Sequence, residues 1–317
     1  MPEEQLTWLQ NLLPHIPKDK LIVVSTHIPF TNPLSDDPGV TTDNRASLFR
    51  IICEGRENVL SISGHTHTSY HQYHGPEEGC NNSNGWHEQV IATVSGAWWS
   101  GPFDERGIPS SIQYDGTPNG YHELVVDGNQ YVTNYVPLEK REDLQMRILC
   151  DAAFHGFSEG GFRDFQLGES WYCRISEDHV HFTDIVVDFF DGGPKSRLRF
   201  EVAGHTGEMT RVARTDPFVE ELYLRTDDKK PWVNAVVSDH IWVADLPAVG
   251  PGAYTITVHA TDEYGRAYVQ HKVLEVYGYS QSPAPQAAVS NVATTGKSVP
   301  EYPLAFTGAA LQGLLPY

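Results

Sequence analysis

Apolar residues recur at helical spacing over residues 3–13, where Leu6, Leu9, Leu12 and Leu13 fall on one face, and Pro14 and Pro17 stop the pattern. Residues 21–25 (LIVVS) form a short, continuously apolar run, which predicts a buried strand delivering Thr26 and His27 at its C-terminal end. A loop with Pro, Asp and Gly follows over residues 29–40. Thr42 or Asp43 is then placed to cap a second helix, whose Leu48, Phe49, Ile52 and Cys53 make an apolar stripe that Gly55 ends. Residues 59–63 predict another buried strand, and it delivers Gly64-His65-Thr66-His67. The order helix, strand, helix, strand is α/β. It places two histidine-bearing loops at the C-terminal ends of two strands, where such sheets hold ligands.

Further along, residues 70–86 read as loop and residues 90–94 as a strand leading into Ser95-Gly96-Ala97-Trp98-Trp99. Asp127-Gly128 between two apolar runs is a hairpin signal. From there the pattern is all-β. Asp191-Gly192-Gly193-Pro194 separates two strand-like runs, and residues 254–260 (YTITVHA) alternate as a half-buried strand should. The fold class is therefore α/β followed by all-β: an α/β domain over residues 1–140, a β-sandwich over residues 146–277, and a flexible tail rich in Pro, Ala, Ser and Thr over residues 278–317.

Composition narrows the function. The 317 residues are 40% hydrophobic and 20% charged, as in a globular chain. The net charge of −19 argues against binding nucleic acid or anionic membranes through phosphate neutralisation. No run of about 20 apolar residues predicts a membrane span. The N-terminus, MPEEQLTWLQ, does not read as a signal peptide, and export of a longer parent protein is left open by it. The four cysteines lack CxxC spacing, so a zinc ribbon is not indicated; Cys150 and Cys173 are either a pair or free structural thiols.

The chemistry concentrates on His65 and His67, two positions apart after a buried strand, with His27 after the other strand. Neutral imidazole is a common ligand of transition metals, and in an extended segment residues two apart point to one side. His27, His65 and His67 are thus candidate metal ligands. His71, His74 and His87 read as ordinary loop histidines, and Gly204-His205-Thr206-Gly207 as a turn.

Residues 21–30 (LIVVSTHIPF) followed by residues 59–67 (VLSISGHTH) resemble the second half of the calcineurin-like metallophosphoesterase domain. The resemblance implies a two-sheet α/β sandwich with two divalent metals (Mn, Fe or Zn), bridged by an Asp and by a hydroxide that attacks phosphorus. It implies His27 and His65 as ligands of the second metal and His67 as a ligand of the first. The segments SGAWWSG (95–101), DGTPNGY (115–121), QMR (145–147), HIWVADLP (240–247) and GAYTITVHATDEYG (252–265) resemble a bacterial subgroup whose catalytic domain is followed by a β-rich C-terminal phosphoesterase domain. Trp98, Trp99, Asn119 and Tyr121 are its candidate substrate contacts, with Asp115 beside them in a turn of Asp-Gly, Pro and Asn-Gly.

The sequence departs from the family's pattern. The DxH, GDxxD and GNHD/E motifs that supply the bridging Asp, an Asn ligand and a substrate-facing His are not present. The resemblance therefore implies the C-terminal half of the catalytic sandwich, a fragment with no catalytic residue of its own that is inactive alone. Hydrolysis of a phosphomonoester or phosphodiester then belongs to the intact parent. The alternative is a non-catalytic module binding carbohydrate or protein.

Overall fold

The computed structural model describes residues 1–104, 106–138, 144–151, 173–224 and 229–278, all within one compact unit, Met1–Gln281. The structure is mostly strands with few helices. The tail expected over residues 278–317 lies, from residue 279 onward, outside the described residues.

The first layer is a four-stranded sheet. Its strands are β1 (Ile22–Ser25), β2 (Val59–Ser63), β3 (Tyr70–His74) and β4 (Trp86–Val90), in the order β1-β2-β4-β3. The first three in that order are parallel, and β3 runs antiparallel to β4. Helices α1 (Glu3–Leu12) and α2 (Arg45–Cys53) form where the apolar spacing predicts them. Leu6 from α1, Leu48, Phe49 and Ile52 from α2, and Trp86 from β4 share one buried core.

Several details differ from expectation. The apolar run of β1 is an edge strand, not a buried one, and Val23 is 42% exposed. Neither Thr42 nor Asp43 caps α2. The cap position is Asn44, whose side chain instead accepts from the Met1 amine (2.8 Å) and donates to the Met1 carbonyl (2.7 Å). Residues 70–86 are not all loop. The polar strand β3 (YHQYH) hides there because its histidines are buried by hydrogen-bond partners rather than by an apolar face. Cys53 forms a disulfide with Cys80, whereas Cys150 and Cys173 are free and buried.

The Asp-Gly hairpin forms as the pattern predicts: β5 (Gly120–Asp127) pairs with β6 (Gln130–Pro137), closing at Asp127 opposite Gln130, with Gly128 at φ 65°. The remaining strands are β7 (Met146–Cys150), β8 (Cys173–Ser176), β9 (Asp184–Phe189), β10 (Arg197–Val202), β11 (His205–Glu208), β12 (Thr210–Thr215), β13 (Val237–Asp245), β14 (Gly252–Thr261) and β15 (Ala267–Tyr277). They make two sheets, β11-β10-β14-β15-β8 and β12-β13-β9-β7, which bury one shared core around Trp242, Phe189, Ile256 and Val258. The GHTG segment is only partly a turn. Ala203 and Gly204, at φ 50° and 81°, turn the chain, and His205 already belongs to β11.

Helix α3 (Pro217–Leu224) was not legible in the alternating pattern around it. Its Phe218, Val219, Leu222 and Tyr223 pack with Leu149, Val186 and Ile241 on the outer face of the β12-β13-β9-β7 sheet. Ala97, fully buried, joins the same cluster, so this helix seats the SGAWW loop that borders the histidines.

Candidate functional site

The two histidine-bearing loops leave adjacent parallel strands. The β1–β2 ladder runs to Ser25 opposite Ile62 and is prolonged by Thr26 N–H donating to Ile62 O and Gly64 N–H donating to His27 O, both at 3.1 Å. That continuation brings the exposed rings of His27 and His65 face to edge, with centroids 4.8 Å apart at 71°. His65 Nδ1 and His27 Nε2 are 3.0 Å apart, and His65 Nε2 lies 3.2 Å from Gly39 O. A carbonyl only accepts, so Nε2 of His65 carries its proton and Nδ1 accepts from His27.

His67 is placed differently. Extended alternation does not align the rings. Both histidines sit in the left-handed region, at φ 72° for His65 and 55° for His67, and the chain bends between them. His67 is buried. Its Nδ1 donates to Gly96 O, and its ring packs edge-on to Trp98 (4.3 Å) and stacks near Tyr114 (5.7 Å). Burial pushes its pKa down, the Gly96 carbonyl opposes this, and the nearby His65 and His27 rings push it down further. His67 is therefore neutral at pH 7 with Nε2 unprotonated, the form that ligates metals.

Trp98 and Trp99 also have positive φ, 56° and 50°. Four bulky residues in this region within one site are strained, by about 1–3 kcal/mol each, and such strain clusters at functional sites. Both tryptophans are exposed, at 58% and 50%; Trp98 lies against the His67 ring, and Trp99 is the next residue, its N–H bonded to Ser111 Oγ. Asn119 lies behind that loop. A Cβ at Gly96 would run into Asn119 Oδ1 and Ser111 O, so Asn119 backs Gly96 rather than facing the histidines. Tyr121 is exposed on β5 opposite Val136, away from the contacts that join the histidine loops. Asp115 is buried: it accepts from Ser69 N (2.5 Å), Thr117 N (3.0 Å) and His240 Nε2 (3.1 Å), tying the chain just after His67 to the sandwich.

A 3.0 Å nitrogen–nitrogen separation suits two imidazoles on one cation, since metal–nitrogen bonds of about 2.0–2.1 Å put neighbouring ligands about 3.0–3.4 Å apart. Among the described residues no His, Cys, Asp and Glu groups gather in threes or more to hold a metal. The residues thus fit one edge of a cation's shell and do not fit a two-metal centre bridged by a carboxylate.

The three other histidines of this layer are not loop residues. His71 and His74 belong to β3 and His87 to β4, all buried. His71 Nδ1 lies 2.9 Å from His87 Nε2, and His71 Nε2 lies 3.1 Å from Asp191 Oδ1 of the sandwich. His74 bonds Glu88 (2.8 Å), whose carboxylate also accepts from Phe30 N (2.6 Å) in the loop after His27. Sequence reasoning missed this network because its partners are far apart in the chain. The usable signal was the density of His, Tyr and Glu in a strand-length stretch.

No curated protein and no solved structure matched the chain. The family described as C terminal of Calcineurin-like phosphoesterase matches residues 88–268, from within β4 to the first two residues of β15. That span is more than half of the sequence and contains the SGAWW loop, the buried Asp115 and the sandwich strands β7 to β14, and so the chain belongs to the calcineurin-like phosphoesterases, as a bearer of their C-terminal domain.

Proposed function

We propose that this chain contributes the histidine side of a divalent-metal site in a phosphoesterase that hydrolyses phosphomonoesters or phosphodiesters. The observation that carries this reading is the His27–His65 pair, 3.0 Å apart at the C-terminal ends of adjacent parallel strands. His27 and His65 would hold one cation and His67, through Nε2, a neighbouring one. A bound cation supplies polarisation of phosphoryl oxygens and a water of lowered pKa. The chain's own residues orient the site: Gly39 O and Gly96 O fix the two ring tautomers, and Trp98 and Trp99 wall one side. The four-stranded sheet would be one sheet of the family's α/β sandwich. The carboxylates of a two-metal centre are not supplied by the described residues, so hydrolysis is assigned to the intact parent protein and not to this chain alone.

Metal retention tests the reading without requiring turnover. Equilibrium dialysis of the purified chain against Zn²⁺ or Mn²⁺, with elemental analysis, should show bound cation that His65→Ala and His27→Ala each reduce by about tenfold or more. Retention unchanged in both variants would sink the proposal. It would favour the non-catalytic binding module.

A further inference from the structure

Beside the histidine pair lies a cavity of about 370 Å³, within the roughly 300–1,000 Å³ of small-molecule sites. Three segments and Asp115 line it; the segments are residues 32–40 after β1, residues 66–70 after His65, and residues 236–239 at the start of β13. It adjoins the candidate metal site directly. Thr66, between His65 and His67, is a wall residue, and so are Asp37 and Val40, which flank the Gly39 whose carbonyl meets His65.

The lining has a definite chemistry. It contains no Lys, Arg or His, so a phosphate or carboxylate placed there would find no counter-charge. Leu34, Val40, Val236 and Val237 supply apolar wall, and Thr66, Thr68 and Asp239 supply polar contacts. Thr66 Oγ1 and Thr68 Oγ1 bond one another at 2.8 Å, leaving one donor and free lone pairs between them. Asp239 is buried. Its Oδ2 accepts from Arg211 (2.7 Å), and Oδ1 has no hydrogen-bond partner among the described residues.

Two neutral-to-cationic ligand classes meet this description, and charge separates them. The Asp239 carboxylate is already offset by Arg211, and Asp115 is held by Ser69 N, Thr117 N and His240. Asp37 is exposed and engages Gly39 N (2.8 Å). No uncompensated buried charge calls for an ammonium group. A fixed carboxylate acceptor beside paired hydroxyls, with aliphatic walls for C–H faces, suits vicinal hydroxyl groups.

We propose that this cavity is a subsite for a neutral polyol, the alcohol portion of the phosphoester. The assignment of the polyol to an ester rests on the metal-site reading above; the cavity's preference for polyols does not. Specificity in this protein is then shared: the sandwich, through Val236–Asp239, helps select the alcohol, while the histidine loops face the phosphoryl group.

The test is direct binding by saturation-transfer NMR and calorimetry, on the full chain kept metal-free with a chelator. The probes are myo-inositol and glycerol as neutral polyols, choline as a cation and inorganic phosphate as an anion. Polyol binding is expected, with none to phosphate. Val237→Trp, which fills the cavity from a side chain that is 43% exposed, should weaken it at least tenfold. Thr66→Val serves the same purpose with less bulk, and thermal melts establish that each variant is folded. Binding of choline or phosphate in place of the polyols overturns the proposal. So does binding of no probe, or polyol binding indifferent to both variants. His65→Ala should keep polyol binding while losing metal, so failure of the metal reading and failure of the cavity reading give different results.

Discussion

Gly96 shows how one position controls the site. Its φ of 46° is left-handed, and a Cβ would collide with Ser111 O and Asn119 Oδ1, while its own carbonyl holds His67. Gly96→Ala should cost about 2–3 kcal/mol of stability from strain and overlap. It should also release the His67 ring, seen as loss of the upfield ring shifts imposed by Trp98. Unchanged shifts and unchanged denaturation midpoint would contradict this. His240 makes a second case. It is fully buried between Asp188 Oδ1 (2.7 Å) and Asp115 Oδ2 (3.1 Å). Burial lowers its pKa, but the two carboxylates outweigh burial and hold it well above 6.5. A histidine raised on folding contributes stability that is complete below its unfolded pKa of about 6.5 and is lost as pH rises through the folded value. Asp216, raised to about 7 by burial against the opposing Arg147, gives a fall of the same sign at lower pH, between about 3.9 and about 7, so the alkaline part belongs to His240. Unfolding free energy should therefore fall on the alkaline side of pH 6.5, and His240→Gln should flatten that fall while costing about 3–5 kcal/mol near neutrality. Equal slopes in urea titrations of both proteins across pH 6.5–9 would refute it. Asp115 reads in the sequence as part of an Asp-Gly turn, and that is only half of its role. The other half depends on His240, and no local pattern joins the two.

At the scale of elements, the legible ones are those whose side chains meet a single requirement. Helix α1 and helix α2 follow the spacing of their leucines and phenylalanine, and the β5–β6 hairpin follows Asp-Gly. Strand β3 escaped because its burial is satisfied by hydrogen bonds, and β1 looked internal because Val and Ile suit an edge strand as well as a central one. Helix α3 is short and its apolar residues face a sheet of the sandwich, so its spacing is lost among alternating strands. Cys150 and Cys173 are free, one of the two alternatives the sequence left open, while the Cys53–Cys80 bridge was not legible. Burial among the sandwich core residues separates Cys150 and Cys173 from any local rule, while Cys53 at the end of α2 meets Cys80 across 27 residues. Closing a loop of that length stabilises the fold by about 3.5 kcal/mol in the chain-entropy account. Cys53→Ser with Cys80→Ser should lower the unfolding free energy by about that amount, measured under non-reducing conditions. Wild type treated with dithiothreitol should approach the double variant. A difference below about 1 kcal/mol would show that the bridge does not constrain the unfolded chain.

Across the whole molecule, the first sheet and the sandwich meet through a network of buried polar groups beside a small apolar cluster of Ala92, Tyr135 and Phe190. Asp191 Oδ1 receives His71 Nε2 (3.1 Å), His122 Nε2 (3.0 Å) and Gln89 Nε2 (3.1 Å), joining β3, the hairpin and β4 to the turn between β9 and β10. Burial would raise the Asp191 pKa, but His122 and His71 pull it far below the usual carboxylate range. His87 continues the chain to Tyr131 (2.7 Å), and Tyr73 reaches Glu263 (2.9 Å), whose other oxygen accepts from Lys195 N and Ser196 N. A charge shared in this way has no stable intermediate with one side undocked, because undocking leaves buried ionised groups without partners. The described residues should thus unfold in a single transition, with far-ultraviolet ellipticity and tryptophan fluorescence coinciding. Asp191→Ala removes the acceptor common to three donors and, with it, the main carboxylate that raises the His71 pKa, so burial then favours the neutral ring. It should cost about 3–5 kcal/mol and separate the two probes, the fluorescence of Trp86 and the sheet around it changing before the sandwich melts. Two resolved transitions in the wild-type protein, or a single unshifted one in Asp191→Ala, would show that the polar seam does not couple the two layers.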